Sequence, residues 1–244
     1  MNARRRTISS PSSHDQAVES PRSCCGDCGP HRGSAGPCSV RGARLLPASP
    51  HDPWDGGRRR AGRDRRSRRH LRSGGDDTIH GLDGDDFLCA ESQFYAEGDD
   101  VIYGGAGDDV IGDLDDRDRV YGGPGNDTVF GSIGPDRIFG GEGDDFLSAA
   151  SDDDQMWGGP GNDWLSGSFG EDTLSGGSGN DQLFGAWDDD VLLGGDGSDS
   201  ISGGPDEDRL DGRDGTSGND VLKGGAQEDK CFSDEGDSEG SCEL

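Results

Sequence analysis

Aspartate recurs in this chain at a fixed place in a nine-residue unit, always close to glycine. Aligned on Gly104-Gly-Ala-Gly-Asp-Asp-Val-Ile-Gly112, the unit reads Gly-Gly-x-Gly-x-Asp-x-(apolar)-x. The frame runs without a slip from Tyr95 to Asp211, thirteen nonapeptides in a row. Two units precede it, at 72–80 and 81–89, followed by a five-residue insertion at 90–94. Two follow it, at 215–223 and 224–232, behind a three-residue insertion at 212–214. All seventeen units carry Asp at position six, and sixteen carry an aliphatic residue or Met at position eight, with Cys231 in the last. A carboxylate repeated beside residues that free backbone carbonyls is oxygen-donor chemistry, suited to a hard cation.

Glycines at positions one, two and four allow positive φ, so the chain can bend sharply with its carbonyls turned inward. Ca²⁺ takes six to eight oxygens at about 2.3–2.6 Å, more than one such turn supplies. Two turns stacked at the parallel-strand spacing of about 4.8 Å can share an ion. The expected cofactor is therefore calcium.

A second period fixes which turns stack. Full Gly-Gly-x-Gly turns start at 104, 122, 140, 158, 176 and 194, every eighteen residues. The units between have degenerate turns, with Asp116, Asp152, Asp188 or Asp206 at position four and Ile133, Phe169 or Trp187 at position three. Eighteen residues are two turns and two strands, one coil of a flattened solenoid. The predicted fold is thus all-β, a parallel two-sheet β-roll, with strong turns on one edge and weak turns on the other. The expected metal ligands are Asp109, Asp127, Asp145, Asp163, Asp181 and Asp199 along the strong edge, bridged in successive pairs, with Asp86, Asp100 and Asp220 from further turns. The weak edge is expected to be mostly scaffold.

Positions seven to nine form the strand, and side chains alternate across it. Position eight then points inward, giving one column of Ile111, Val129, Leu147, Leu165, Leu183 and Ile201. The facing column is Val120, Ile138, Met156, Leu174, Leu192 and Leu210. Position nine points out and reads Tyr103, Tyr121, Phe139 and Trp157 at eighteen-residue intervals. Those four rings form a ladder that either stabilises the sheet by self-stacking or docks a glycan or protein partner.

Composition agrees with a fold that needs cations. Of 244 residues only 27% are hydrophobic, against about 45–50% apolar in an ordinary globular domain. Net charge is −28, and low hydrophobicity with high charge marks chains that do not fold unaided. Residues 1–72 hold 16 Arg, no Lys and six acidic residues, a net of +10; residues 73–244 hold seven basic and 45 acidic residues, a net of −38. The division predicted is a disordered Arg/Pro/Gly/Ser-rich segment at 1–71, the roll at 72–232 and an acidic tail at 233–244. No apolar run is long enough to span a membrane, and the first residues lack the apolar core of a secretory signal. A basic stretch of this kind could also arise from a misplaced start. Arg58–Arg72 lacks the interleaved aromatics of a nucleic-acid binder, so no nucleic-acid partner is expected.

The units at 122–130, 158–166 and 176–184 closely resemble the haemolysin-type calcium-binding nonapeptide of the RTX (repeats-in-toxin) family. The resemblance covers about two-thirds of the chain. It implies a parallel β-roll, calcium held by the position-six aspartates and by carbonyls of turn glycines such as Gly122, Gly123 and Gly125, and a secreted, extracellular protein. It also leaves open a second role, as an accessory or C-terminal module of an extracellular hydrolase or toxin whose catalytic domain lies elsewhere.

Catalysis is not expected. Gly236-Asp-Ser-Glu-Gly240 fits the serine-hydrolase elbow pattern but lacks the strand, helix and histidine that the elbow needs. His14, His31, His51, His70 and His80 form no zinc-protease motif, and Cys24, Cys25, Cys28 and Cys38 fit no standard zinc spacing. Cys231 and Cys242, at the end of the roll, are placed to form a disulfide in an oxidising compartment, with unpaired thiols as the alternative.

Overall fold

The computed structural model describes residues 69–71, 75–89, 98–112, 114–215 and 219–242. The predicted basic segment and its cysteine cluster lie outside them, apart from the short strand at its end. Every regular element among the described residues is a β-strand, and none is a helix that could cross a membrane. One sheet consists of β1 (Arg69–Leu71), β3 (Phe87–Cys89), β5 (Val110–Gly112), β7 (Thr128–Phe130), β9 (Phe146–Ser148), β11 (Trp164–Phe169), β13 (Gln182–Trp187), β15 (Ser200–Pro205), β17 (Val221–Ala226) and β19 (Ser238–Gly240). The other consists of β2 (Thr78–Asp83), β4 (Val101–Ala106), β6 (Arg119–Pro124), β8 (Arg137–Glu142), β10 (Gln155–Pro160), β12 (Thr173–Ser178), β14 (Val191–Asp196), β16 (Arg209–Asp211) and β18 (Lys230–Phe232).

All pairings are parallel, and each strand pairs with the second strand before or after it in sequence. The shift is eighteen residues, as between Met156 and Leu174 or Leu165 and Leu183. The predicted two-sheet parallel roll is therefore the observed one. Insertions leave the stacking intact: Leu88 pairs with Ile111 across the first, and Ile201 with Leu222 across the second. Paired strands also lie on both sides of the 72–232 repeat range, as β1 pairs with β3 and β19 with β17.

The core is two columns of position-eight side chains, each almost wholly buried. Leu88, Ile111, Val129, Leu147, Leu165, Leu183, Ile201 and Leu222 line one sheet. Ile79, Ile102, Val120, Ile138, Met156, Leu174, Leu192 and Leu210 line the other. Leu114, at position two of a weak turn, is also fully buried, and its apolar side chain closes the core where the Gly-Gly pair is missing. At the last coil Cys231 is disulfide-bonded to Cys242 with a Cα–Cα distance of 5.7 Å, and both pack against the core.

Candidate metal centre

Position six follows the turn and precedes the strand, and its side chain points inward like that of position eight. Asp109, Asp127, Asp145, Asp163, Asp181 and Asp199 are accordingly no more than 3% exposed, as are Asp86, Asp100 and Asp220. The structure arranges these carboxylates in two ladders. On the strong edge each backbone N–H donates to Oδ1 of the aspartate one coil on, from Asp86 through Asp109, Asp127, Asp145, Asp163, Asp181 and Asp199 to Asp220, at 2.7–2.8 Å. The weak edge carries the same ladder from Asp77 through Asp100, Asp118, Asp136, Asp154, Asp172, Asp190 and Asp208 to Asp229. Asp100 thus belongs to the weak edge, whereas Asp86 and Asp220 extend the strong one.

One oxygen of each carboxylate is consumed in this way, and the other is not. The Oδ2 atoms of Asp109, Asp127, Asp145, Asp163, Asp181 and Asp199 are buried without a hydrogen-bond partner. Buried anionic oxygens cost several kcal/mol unless something compensates them (roughly the penalty of an unpaired buried charge). Burial pushes the carboxyls of Asp109, Asp145 and Asp199 up to about 7, and neighbouring aspartates add to the rise. It pushes Asp127, Asp163 and Asp181 up to about 6. In each case the N–H from the preceding coil pulls the other way.

The residues present fit a hard cation. A methyl carbon placed on Gly104 would lie 2.5 Å from Asp109 Oδ2 and 2.6 Å from the carbonyl oxygen of Gly122 on the next coil. Asp109 Oδ2 and the Gly122 carbonyl therefore converge on one region between adjacent coils, where glycine leaves room, and both are the hard oxygen donors that Ca²⁺ takes. The same pair surrounds the equivalent points at Gly122, Gly140, Gly158 and Gly176, with the next coil's carbonyl at 2.5–2.8 Å. At Gly194, the last of the strong-edge series, and at Gly167, Gly185 and Gly203 on the weak edge, the three nearest atoms all belong to the aspartate of the same unit. Among the described residues no three His, Cys, Asp or Glu side chains converge, so further ligands for an ion would come from turn carbonyls or water.

The weak edge still buries its acids. Asp154, Asp172, Asp190, Asp208 and Asp229 also keep a buried Oδ2 with no hydrogen bond. Burial raises Asp136 to about 9, Asp154 and Asp190 to about 8, Asp172 to about 7 and Asp208 to about 6. The aspartates that replace glycine at position four also have a job there. Asp116, Asp152, Asp188 and Asp206 hold φ between 73° and 92°. Their Oδ2 atoms accept N–H bonds from Gly98, Gly134, Gly170 and Asp188 one coil earlier. Sequence reasoning gave these residues no such role; their recurrence at position four was the available signal.

The outer ladder is present and longer than expected. His80 stacks on Tyr103 at 4.8 Å, and the series continues through Tyr121 and Phe139 to Trp157 at 5.0, 5.0 and 4.4 Å, with planes within 8° of parallel.

A family model described as the RTX calcium-binding nonapeptide repeat matches residues 73–93, 96–112, 121–156, 157–192, 184–217 and 214–238. No curated protein matches the chain. With the family's repeat over well more than half of its length and the stacked Asp-Gly turns in place, the chain belongs to the family of RTX calcium-binding repeat proteins.

Proposed function

We propose that this protein is a non-catalytic, extracellular binding module that folds when Ca²⁺ enters between its stacked turns. The observation that carries the reading is the row of buried Oδ2 atoms from Asp109 to Asp199, each on the inner side of a turn and five of them beside a carbonyl of the next coil. A column of like charges repels itself at coil spacing, and a divalent cation between coils turns that repulsion into attraction. Asp109, Asp127, Asp145, Asp163, Asp181 and Asp199 would hold the main row of ions, with Asp86, Asp100 and Asp220 contributing toward the ends. Exposure to an oxidising compartment is supported by the Cys231–Cys242 disulfide and by the family's usual secretion. The ladder from His80 to Trp157 serves as the outward contact strip.

The test is circular dichroism and calorimetry on the full chain with chelator, with magnesium and with calcium. Strong β signal is expected only with calcium, because Mg²⁺ demands a tighter octahedral shell and sheds water reluctantly. Equal β content with chelator and with calcium would refute the proposal.

A further inference from the structure

One outer face of the roll gathers three arginines that form no ion pair among the described residues. Arg119 and Arg137 are side by side in the register of β6 and β8, and Arg117 sits in the turn before Arg119. All three are exposed. None of the three guanidinium groups makes an ion pair or a hydrogen bond among the described residues, although the chain holds 51 acidic residues. Arg209 and Arg213 behave differently: both pair with Asp211 and lie over the Phe232 ring. The three arginines line a surface depression together with Pro135, Gln155 and three aspartates, Asp118, Asp136 and Asp153, of which Asp118 and Asp136 are buried.

The neighbouring ladder adds to the patch. Tyr121 and Phe139 stand two residues beyond Arg119 and Arg137 on the same face of the sheet. The rings spend their faces on one another, with planes within 4° to 8° of parallel, so they turn their edges to solvent. Aromatic edges are the positive rim of the ring quadrupole. With Asp118 and Asp136 buried beneath them, the guanidinium groups and ring edges put the positive groups of this face outermost on a strongly acidic protein.

The pair also repeats by translation over two adjacent coils, Arg119 with Tyr121 and then Arg137 with Phe139. A ligand that repeats along its length, with an oxyanion on each unit, can match it; guanidinium forks take carboxylate or sulfate oxygens in pairs. An extended acidic peptide matches it poorly. Its same-face side chains recur at about 6.7 Å, out of step with coils at about 4.8 Å. We propose that Arg117, Arg119 and Arg137, with the edges of Tyr121 and Phe139, bind a linear acidic polysaccharide. The proposal rests on the reading of the protein as a calcium-folded binding module, and it names that module's partner.

The experiment uses the full chain at saturating calcium. Its binding to dextran sulfate, carboxymethyl-dextran, unmodified dextran and polyglutamate is measured by calorimetry. Binding of either charged dextran, little binding of neutral dextran, and weakening with added salt are expected; the two charged forms tell sulfate from carboxylate recognition. The R119Q/R137Q double variant should bind at least tenfold more weakly while its circular dichroism and calcium titration stay unchanged. No binding of either charged dextran by the folded protein would overturn the proposal, as would an unaffected double variant. Polyglutamate bound as tightly as the charged dextrans would overturn it in favour of an acidic protein partner. Failure to fold at saturating calcium is visible before any glycan is added, and would overturn the calcium reading itself.

Discussion

The backbone N–H of Asp127 donates to Oδ1 of Asp145, 2.7 Å away and one coil further on, while Oδ2 of Asp145 is buried with no partner. One oxygen builds the scaffold, and the other is the one proposed to face a cation. Asp145→Asn separates the two roles, because the amide oxygen can still accept the N–H. Charge-assisted contacts contribute roughly 1.5–3 kcal/mol, so calcium binding at the affected coil should weaken about tenfold or more. Calorimetry should show fewer tight sites, and an unchanged isotherm would remove Asp145 from the ligand set.

The pH response should have opposite signs with and without calcium. Raised carboxyl values mean that the metal-free roll takes up protons on folding. Its contribution to stability is fully present below the ordinary aspartate value of 3.8 and is lost as pH rises through about 6 to 9, the range spanned by Asp127 and Asp136. Metal-free protein should therefore gain β structure on acidification. Calcium competes with the same protons, so its apparent affinity should fall as pH drops below about 7, where Asp109 and Asp145 become protonated. Circular dichroism from pH 4 to about pH 9, with and without calcium, checks both limbs.

Gly122 and Gly123 should fail differently. Gly122 has an ordinary φ, but a methyl there would meet Asp127 Oδ2 and the Gly140 carbonyl, the two oxygens expected to face the ion. Gly123 has φ +121°, and its methyl would collide with the Gly105 carbonyl. Gly122→Ala should lower calcium stoichiometry. Gly123→Ala should also strain the backbone by roughly 1–3 kcal/mol, lowering the melting temperature of the calcium-loaded protein further than Gly122→Ala does.

Leu165 lies mid-column and is wholly buried. Leu165→Ala should cost about 2–5 kcal/mol. Because solenoid coils contact only their neighbours, hydrogen exchange should rise first in the strands beside β11. Uniform exchange along the whole roll would contradict this local response.

Reduction should loosen one end. The Cys231–Cys242 link closes a loop of sequence separation 11, and loops of that size stabilise by about 2–4 kcal/mol. Cys231→Ser with Cys242→Ser should speed exchange in β17 to β19 while leaving β6 to β12 protected.

The nine- and eighteen-residue periods made the coil, the two edges and both core columns legible, because they decide which residues stack and which face inward. They do not decide which oxygen of Asp127 meets the N–H of Asp109; that depends on side-chain rotation within the turn. The regularity of the weak edge was hidden for a related reason. Missing glycines at 116, 152 and 188 suggested degraded turns, yet Asp adopts the positive φ and adds an N–H acceptor, so the ladder continues. Leu114 was hidden because it breaks the pattern, and Asp237, which accepts from Asn219 and Asp220 at the final coil, lies beyond the last nonapeptide.

The rung from Asp86 to Asp109 spans 23 residues and that from Asp199 to Asp220 spans 21, where the other strong-edge rungs span 18. The stacking resumes beyond the extra residues at 90–94 and 212–214. Such a molecule is indifferent to its own length. A gene duplication or deletion of whole coils would leave every surviving joint as it was, so the number of ions carried and the reach of the outer strip can change together in one genetic step.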